Sequence, residues 1–233
     1  MKISVVVTTY NRPDALSLVL RALAAQTESG FEVMVADDGS TEETAAALAG
    51  LRPELPYPLI HVWQPDEGFR APMARNRASA AAAGDYIVYL DGDCVPLTDF
   101  VAQHRRLAAP GWFVSGNRVL LDRRLSEQAV REQLPLWRWT RSRWLRARLA
   151  GGVNRLTPVL RLSDSARERR DWIGAKTCNL AVWRADLLAV NGFDAAFVGW
   201  GYEDSDLVQR LFHAGRRRRA SRWAVPVLHL WHA

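Results

Sequence analysis

The 233-residue chain is nearly without lysine, which occurs only at Lys2 and Lys176, so its 31 basic residues are almost all arginine. Arginine's planar fork pairs bidentately with phosphate and carboxylate, and the net charge of +6 points to anionic partners such as a nucleotide diphosphate, a phosphorylated glycan or an acidic membrane surface. Cysteine is equally scarce: Cys94 and Cys178 have neither metal-ligand spacing nor the number needed for a disulfide framework. No apolar stretch is long enough to cross a bilayer, and Ile3 to Val7 is too short for the core of a secretion signal. A cytoplasmic location is therefore expected, with any membrane contact peripheral and on the inner face of the cytoplasmic membrane. Internal repeats, low-complexity tracts and interdomain linkers are absent, and a chain of this length with 48% hydrophobic residues is expected to bury one core as a single domain, 1–233.

From Met1 to about Ala109, short β-rich runs alternate with alanine- and leucine-rich stretches, the pattern of an α/β fold whose parallel sheet is covered by helices. Lys2 to Thr8, Phe31 to Ala36, Leu59 to Trp63 and Tyr86 to Leu90 read as strands. Pro13, the capping sequence Ser40-Thr41-Glu42-Glu43 and the segment Met73 to Ala83 mark helices between them. Right-handed crossovers then bring the strands' carboxyl ends to one edge. Beyond Trp112 the regularity weakens. Trp112 to Val119, Thr177 to Trp183 and Val225 to His232 read as strands, while Arg123 to Leu149 is expected to form one or two helices ended by Gly151-Gly152. Arg184 to Val190 and Asp204 to Ala214 look helical, and the charged, aperiodic stretch Leu156 to Asp171 is expected to be a mobile loop.

Residues with chemical potential gather at those strand ends. Asp91-Gly92-Asp93 follows the apolar run Asp85 to Leu90, and residues two apart in extended chain point to one side, so the two carboxylates can face one divalent cation. An ordinary Asp-Gly turn is the alternative. The first strand delivers Thr8-Thr9-Tyr10-Asn11-Arg12, and the second delivers Asp37-Asp38-Gly39-Ser40-Thr41 at the start of a helix. A nucleotide needs such carboxylate or amide groups beside backbone donors, although Asp37 and Asp38 are also common helix caps.

Together, Thr-Tyr-Asn-Arg and Asp-Asp-Gly-Ser resemble the strand ends of family 2 glycosyltransferases with the GT-A fold. Glu67-Gly68-Phe69-Arg70, Ala74-Arg75-Asn76 and Asp91-Gly92-Asp93 are similar to the family's nucleotide-facing segment and its Asp-X-Asp motif. The resemblance implies a Rossmann-like, mostly parallel central sheet flanked by helices, with a nucleotide-sugar half at 1–111 and a mixed, acceptor-binding half at 112–233. It implies that Thr8, Tyr10, Asn11, Arg12, Asp38, Glu67, Arg75 and Asp91 bind the donor, a UDP-sugar by the same analogy. Asp38 would hold the uracil or ribose, Asp91 the ribose or donor sugar, and Asp93 the metal. Arg75 has the alternative of a fold-supporting ion pair.

Asn191-Gly192-Phe193-Asp194 and Gly199-Trp200-Gly201-Tyr202-Glu203-Asp204-Ser205-Asp206 are similar to the carboxyl-terminal half of galactosyltransferase-like and chondroitin-polymerase-like members. Tyr202 stands where their Trp-Gly-Gly-Glu-Asp has a second glycine, and is expected to narrow the acceptor pocket. Transfer with inversion requires one general base to deprotonate the acceptor hydroxyl. Asp204 is assigned that role, Glu203 the orientation of acceptor hydroxyls, and Asp206 a helix-end charge. Trp200, Gly201, Tyr202 and Trp172 form the expected acceptor site. The resemblance also implies a histidine ligand after the catalytic helix, assigned by position to His229, with His232 as the weaker candidate because strand alternation sends it to the opposite face. Asp91, Asp93, one imidazole and diphosphate oxygens suit Mn2+, with Mg2+ possible. Lys176 is either a phosphate partner or solvated.

Between Trp137 and Leu149, arginines interleave with Trp and Leu, which fits either an interfacial helix on anionic lipid or a basic helix packed by its aromatics. The expectation is an inverting, metal-dependent glycosyltransferase acting on a glycan or lipid-linked glycan in cell-surface polysaccharide or lipopolysaccharide assembly. A sugar nucleotidyltransferase leaves the Trp-Gly-Tyr-Glu-Asp motif unexplained. A nucleic-acid-binding module leaves the carboxylates unexplained, so no nucleic-acid partner is expected.

Overall fold

The computed structural model describes residues 1–160, 166–199, 201–221 and 223–232. The first half runs β1 (Ile3–Thr9), α1 (Pro13–Ala24), β2 (Phe31–Asp37), α2 (Glu42–Leu51), β3 (Leu59–Trp63), α3 (Ala71–Ala81), β4 (Tyr86–Asp91), β5 (Cys94–Pro96) and α4 (Phe100–Leu107). The second continues with β6 (Trp112–Ser115), β7 (Asn117–Leu120), α5 (Arg123–Arg131), α6 (Arg141–Leu149), α7 (Thr157–Leu160), β8 (Ala166–Arg169), β9 (Asn179–Trp183), α8 (Arg184–Ala189), α9 (Glu203–His213), β10 (Arg217–Ser221) and β11 (Pro226–His229). Among the described residues no helix is long and apolar enough to cross a membrane.

Eight strands form the main sheet in the order β3-β2-β1-β4-β9-β6-β10-β8, and β5-β11-β7 form a second. The first four are mutually parallel, and β9 runs antiparallel between β4 and β6. Strands β1, β2 and β4 are buried at nearly every position because both faces are covered. Val5 and Val7 join one core cluster with α1, while Val6, Met34, Ile87 and Tyr89 join the other with α3 and α9. This register sets Thr8 beside Asp91 and Thr9 beside Asp37, so the chemistry-bearing ends of β1, β2 and β4 share one edge.

The second half departs from expectation where charge or glycine interrupts a simple pattern. Trp112 to Val119 is two strands: the chain breaks at Gly116, β6 joining the main sheet and β7 the second. A Cβ at Gly116 would lie 2.1 Å from Asn179 Nδ2, so only glycine admits the asparagine side chain. Asn179 uses that approach to donate to the carbonyls of Asn117 and Val225, tying the two sheets together. The stretch expected to be a loop contains α7 and β8, the latter paired antiparallel with β10; residues 161–165 lie outside the described residues. The arginine run 216–219 is mostly strand β10 and not a free basic surface: Arg217 and Arg219 stack over Trp112.

Arg123 to Leu149 does form two helices, α5 and α6. Trp144 is buried and its ring lies 4.9 Å from that of Trp139, over which Arg143 stacks. These tryptophans pack against the core, which leaves Leu145 and Leu149 as the exposed large apolar side chains of α6.

Gly116→Ala is expected to destabilise the fold by about 1–3 kcal/mol, the usual cost of forcing atoms into a filled core. Urea unfolding measures it, and an unchanged midpoint would mean that the contact with Asn179 relaxes freely.

Candidate active site

Four carboxylates meet at this edge because one buried arginine holds three of them. Arg75, on α3, is 5% exposed. Its Nη2 lies 3.3 Å from Asp91 Oδ1, its Nη1 3.5 Å from Glu203 Oε1 and 4.0 Å from Asp204 Oδ1, and its Nε donates to Thr8 Oγ1 at 3.1 Å. Burial alone would make this guanidinium easier to deprotonate, but Asp91, Asp204 and Glu203 together raise its pKa. Of the two roles open to Arg75, the geometry gives it the ion pairs.

Gly92 turns the chain between Asp91 and Asp93 tightly against β1, donating its N–H to Thr8 O at 2.7 Å; a Cβ there would sit 2.9 Å from that oxygen. Asp91 keeps about a third of its side chain open. Burial pushes its pKa up to about 6; Arg75 opposes this, while Asp93 and Asp204 add to it. Asp204 lies in the first turn of α9 with Thr177 Oγ1 donating to its Oδ1 at 2.5 Å, and is 22% exposed. Glu203 is turned inward, one oxygen on Arg75 and the other accepting from Gly201 N at 3.2 Å. That orientation fits a role in positioning α9 better than the expected contact with acceptor hydroxyls. Asp206 pairs with Arg210 one turn along the helix, at 2.6 Å.

The carboxyl-terminal histidines correct a second expectation. Strand β11 ends at His229, so alternation does not extend to His232, and both imidazoles approach one carboxylate. His229 Nε2 lies 3.7 Å and His232 Nε2 3.5 Å from Asp93 Oδ2. The longer spacing is beyond a hydrogen bond and the shorter lies at its outer limit. Burial chiefly lowers the pKa of His229 against the pull of Asp93, which favours the neutral, ligating imidazole. Oxygen and imidazole donors in this arrangement fit a divalent cation such as Mn2+. Cys94 Sγ lies within the same group of potential ligand atoms, and Cys178 is near Asp91 on its other side.

The donor candidates line the adjoining edge. Asn11, in the left-handed region at φ 48°, accepts from Thr41 N at 2.8 Å and, with Pro13, Glu42 and Glu43, borders a cavity of about 490 Å³. Tyr10 is half exposed and donates to Asp66 at 2.9 Å; Arg12 pairs with Asp14. Asp38 is buried, accepts from Gln64 Nε2 at 2.7 Å and Arg70 N at 2.8 Å, and is raised in pKa chiefly by that burial. Its carboxylate thus anchors the segment carrying Glu67, which is exposed. Asp37 is spent on His61 and Ser40 N. On the acceptor side Trp172 is 39% exposed, Trp200 lies outside the described residues, and Tyr202 is exposed at the α9 N-cap with φ 66°, a conformation that favours the glycine it replaces. Gly201 is beside it at φ 121°. Sequence patterns did not single out Gln64, Asp66 or Thr177, whose roles arise only from contacts across the edge.

The sequence pattern described as Glycosyl transferase family 2 matches residues 4–152, and that described as N-terminal domain of galactosyltransferase matches residues 157–227. Validoxylamine A glucosyltransferase of Streptomyces hygroscopicus subsp. jinggangensis (strain 5008) is 31% identical over 243 residues, covering 97% of this chain and 56% of that protein. Hyaluronan synthase of Pasteurella multocida is 33% identical over 233 residues, covering 91% of this chain and 23% of the synthase. The chain therefore spans just over half of the first relative and under a quarter of the second. Among solved structures, the mannosyltransferase PcManGT from Pyrobaculum calidifontis in complex with GDP-Man and Mn2+ superposes with a TM-score of 0.66 at 22% identity, covering 98% of this chain and 56% of that one. GalNAc-T7 with UDP, GalNAc and Mn2+ gives 0.68 at 15% identity, covering 100% and 44%.

Replacing Arg75 by Met leaves the acidic cluster without its cation, and equilibrium unfolding is expected to register a loss of about 3 kcal/mol. A loss under about 1 kcal/mol would mean that solvent, not Arg75, neutralises the cluster. Protonation of Asp91 would take away a candidate ligand oxygen, so Mn2+ binding measured by calorimetry is expected to weaken as pH falls through about 6. For the ion-free protein the sign reverses. The folded state holds that proton more tightly than an unfolded chain titrating near about 3.9, so the stabilisation is complete below about pH 4 and is lost as pH rises through 6. Mn2+ affinity that is equal at pH 5 and pH 7.5 would contradict this.

Proposed function

The chain belongs to glycosyl transferase family 2 and has the GT-A fold, and from that premise we propose that it transfers a sugar, with inversion, from a nucleotide diphosphate sugar to a hydroxyl of a glycan or glycolipid acceptor. The observation that carries the proposal is the convergence of Asp91, Asp93 and both terminal histidines beside Asp204, with Arg75 linking the metal side to the base side.

Asp93 and His229 would hold the cation, with Asp91 and His232 completing the protein's share of the ligands. When bound, a divalent ion supplies positive charge against the diphosphate as it departs. Thr8, Tyr10, Asn11, Arg12 and the segment at Glu67 border the space for the nucleotide, whose base and ribose edges face the rim above Asp38. Asp204 accepts the proton of the acceptor hydroxyl as that oxygen attacks the anomeric carbon. Thr177, donating to Oδ1, and Arg75, 4.0 Å from the same oxygen, fix its orientation. Glu203 acts through Arg75 and the backbone of Gly201, while Gly201, Tyr202 and Trp172 border the acceptor.

A UDP-sugar donor and a role in cell-surface polysaccharide or lipopolysaccharide assembly are part of the proposal by family analogy. A hyaluronan synthase among the relatives supports the glycan acceptor, and Mn2+ in two fold neighbours supports the metal. The packing of Trp139 and Trp144 on the core weakens the case for lipid contact through 137–149.

A thermal-shift screen of nucleotide sugars with and without Mn2+ tests the reading. Stabilisation that needs both components and disappears in Asp93→Ala is expected, and nucleotide binding indifferent to the ion and to Asp93 would refute the site. Asp204→Asn is expected to keep donor binding and reduce transfer by at least about 100-fold, the low end of what general base catalysis contributes. Near-normal turnover in that variant would remove Asp204 from the base role.

A further inference from the structure

On the acceptor side lies a cavity of about 470 Å³ whose lining includes Ser115, Asn117, Arg167, Arg169, Arg218 and Trp223. Its charge follows from strand alternation. Arg167 and Arg169 of β8 point to one face of the sheet, as does Arg218 of β10; Arg217 and Arg219 point to the other, where they stack on Trp112. Among the described residues that line the cavity there is no Asp or Glu. Asp171 serves two of the three guanidiniums at once, with Oδ2 3.0 Å from Arg169 Nη2 and Oδ1 3.6 Å from Arg218 Nη1. Glu168 faces Arg170, at 3.9 Å.

The β8–β10 register makes this surplus costly. Arg169 lies directly opposite Arg218, and like charges opposite each other destabilise an antiparallel pair. Arg218 has a structural duty that accounts for it: 4% exposed, it donates to Ser115 Oγ at 2.8 Å and to the carbonyls of Asp171 and Ile173 at 2.7 and 3.0 Å. Arg169 forms a two-point pair with Asp171, its Nε donating to Oδ2 at 3.1 Å and its Nη2 to Oδ1 at 3.2 Å, and both Arg167 and Arg169 are exposed toward the cavity on the edge strand. Cationic residues set against one another around a concave space are what an oxyanion ligand needs. Along the chain, Gly174 in the cavity wall is three residues from Thr177, which donates to Asp204.

We infer that this cavity binds a negatively charged group of the acceptor, a carboxylate or a phosphate ester on a sugar near the one that is glycosylated. The inference rests on the transferase reading and adds the acceptor's chemical class to it. The oxyanion enters between Arg167 and Arg169 and adds negative charge to a wall where Asp171 is shared by Arg169 and Arg218. Neutral glycans forgo that pairing.

Isothermal titration of the full chain with glucuronic acid, glucose 6-phosphate and glucose tests it, with UDP plus Mn2+ titrated in parallel. At least one charged sugar is expected to bind ten-fold or more tighter than glucose, and Arg167→Gln and Arg169→Gln are each expected to reduce that preference several-fold while leaving the affinity for UDP and Mn2+ unchanged. Preference for glucuronic acid alone identifies a carboxylate, and for glucose 6-phosphate alone a phosphate ester; either supports the inference. If UDP and Mn2+ bind but the charged sugars bind no better than glucose, or bind both variants as well as the parent, the cavity inference falls and the transferase reading stands. If the charged sugars bind but no nucleotide does, the transferase reading falls and takes the acceptor role of the cavity with it.

Discussion

One buried guanidinium organises this molecule's chemistry. Arg75 comes from α3, between β3 and β4, yet its partners come from the end of β4 and from the first turn of α9, more than a hundred residues later in the chain. Without a cation at that point, Asp91, Glu203 and Asp204 repel one another, and α9 has no electrostatic reason to set its N-terminus against the end of β4. A buried charge is costly unless it is paired, and here the pairing is shared among three carboxylates, of which Asp91 and Asp204 are partly exposed and Glu203 is buried. The contact that closes the fold therefore opposes the upward push of burial on the pKa of Asp91 and helps to orient Asp204.

The sheet topology supplies the rest of the constraint. Parallel β1, β2 and β4 bring Thr8, Asp37 and Asp91 to one edge, and β9 enters antiparallel beside β4 so that Thr177, just before it, reaches Asp204. Strand β11 then pairs with β5, directly after Asp93, which returns the end of the chain to the Asp-Gly-Asp turn. Leu230 N donating to Asp93 O at 2.9 Å fixes that return. Histidines distant in sequence thereby become neighbours of the carboxylate that needs them.

Much of the donor half was legible because its signals are local. Four apolar runs became β1 to β4 within a residue or so, and Asp-Gly-Asp followed the last of them as expected. The acceptor half hid its strands. In β10 and β8 arginines carry the pattern, and a strand made of charged residues resembles a solvated run until its partners are known. Trp112 to Val119 looked continuous because nothing in the neighbouring sequence reveals that Asn179 occupies the space above Gly116. His232 was set apart from His229 by assuming that extended geometry continues past the point where pairing ends. Arg75 and Arg218 illustrate the general limit: composition shows the charge, but only tertiary structure shows whether it faces a ligand, a carboxylate or a carbonyl.

In the proposed site Asp91, Asp93 and the two carboxyl-terminal histidines share one cation beside Asp204. Five histidines make the chain suitable for nuclear magnetic resonance of 15N-labelled imidazoles. Substoichiometric Mn2+ added with UDP is predicted to broaden the ring signals of His229 and His232 selectively, while His61, held by Asp37, and His213, at the far end of α9, stay sharp. Broadening at His61 or His213 in preference to the terminal pair, or none at all while UDP is bound, would contradict the account.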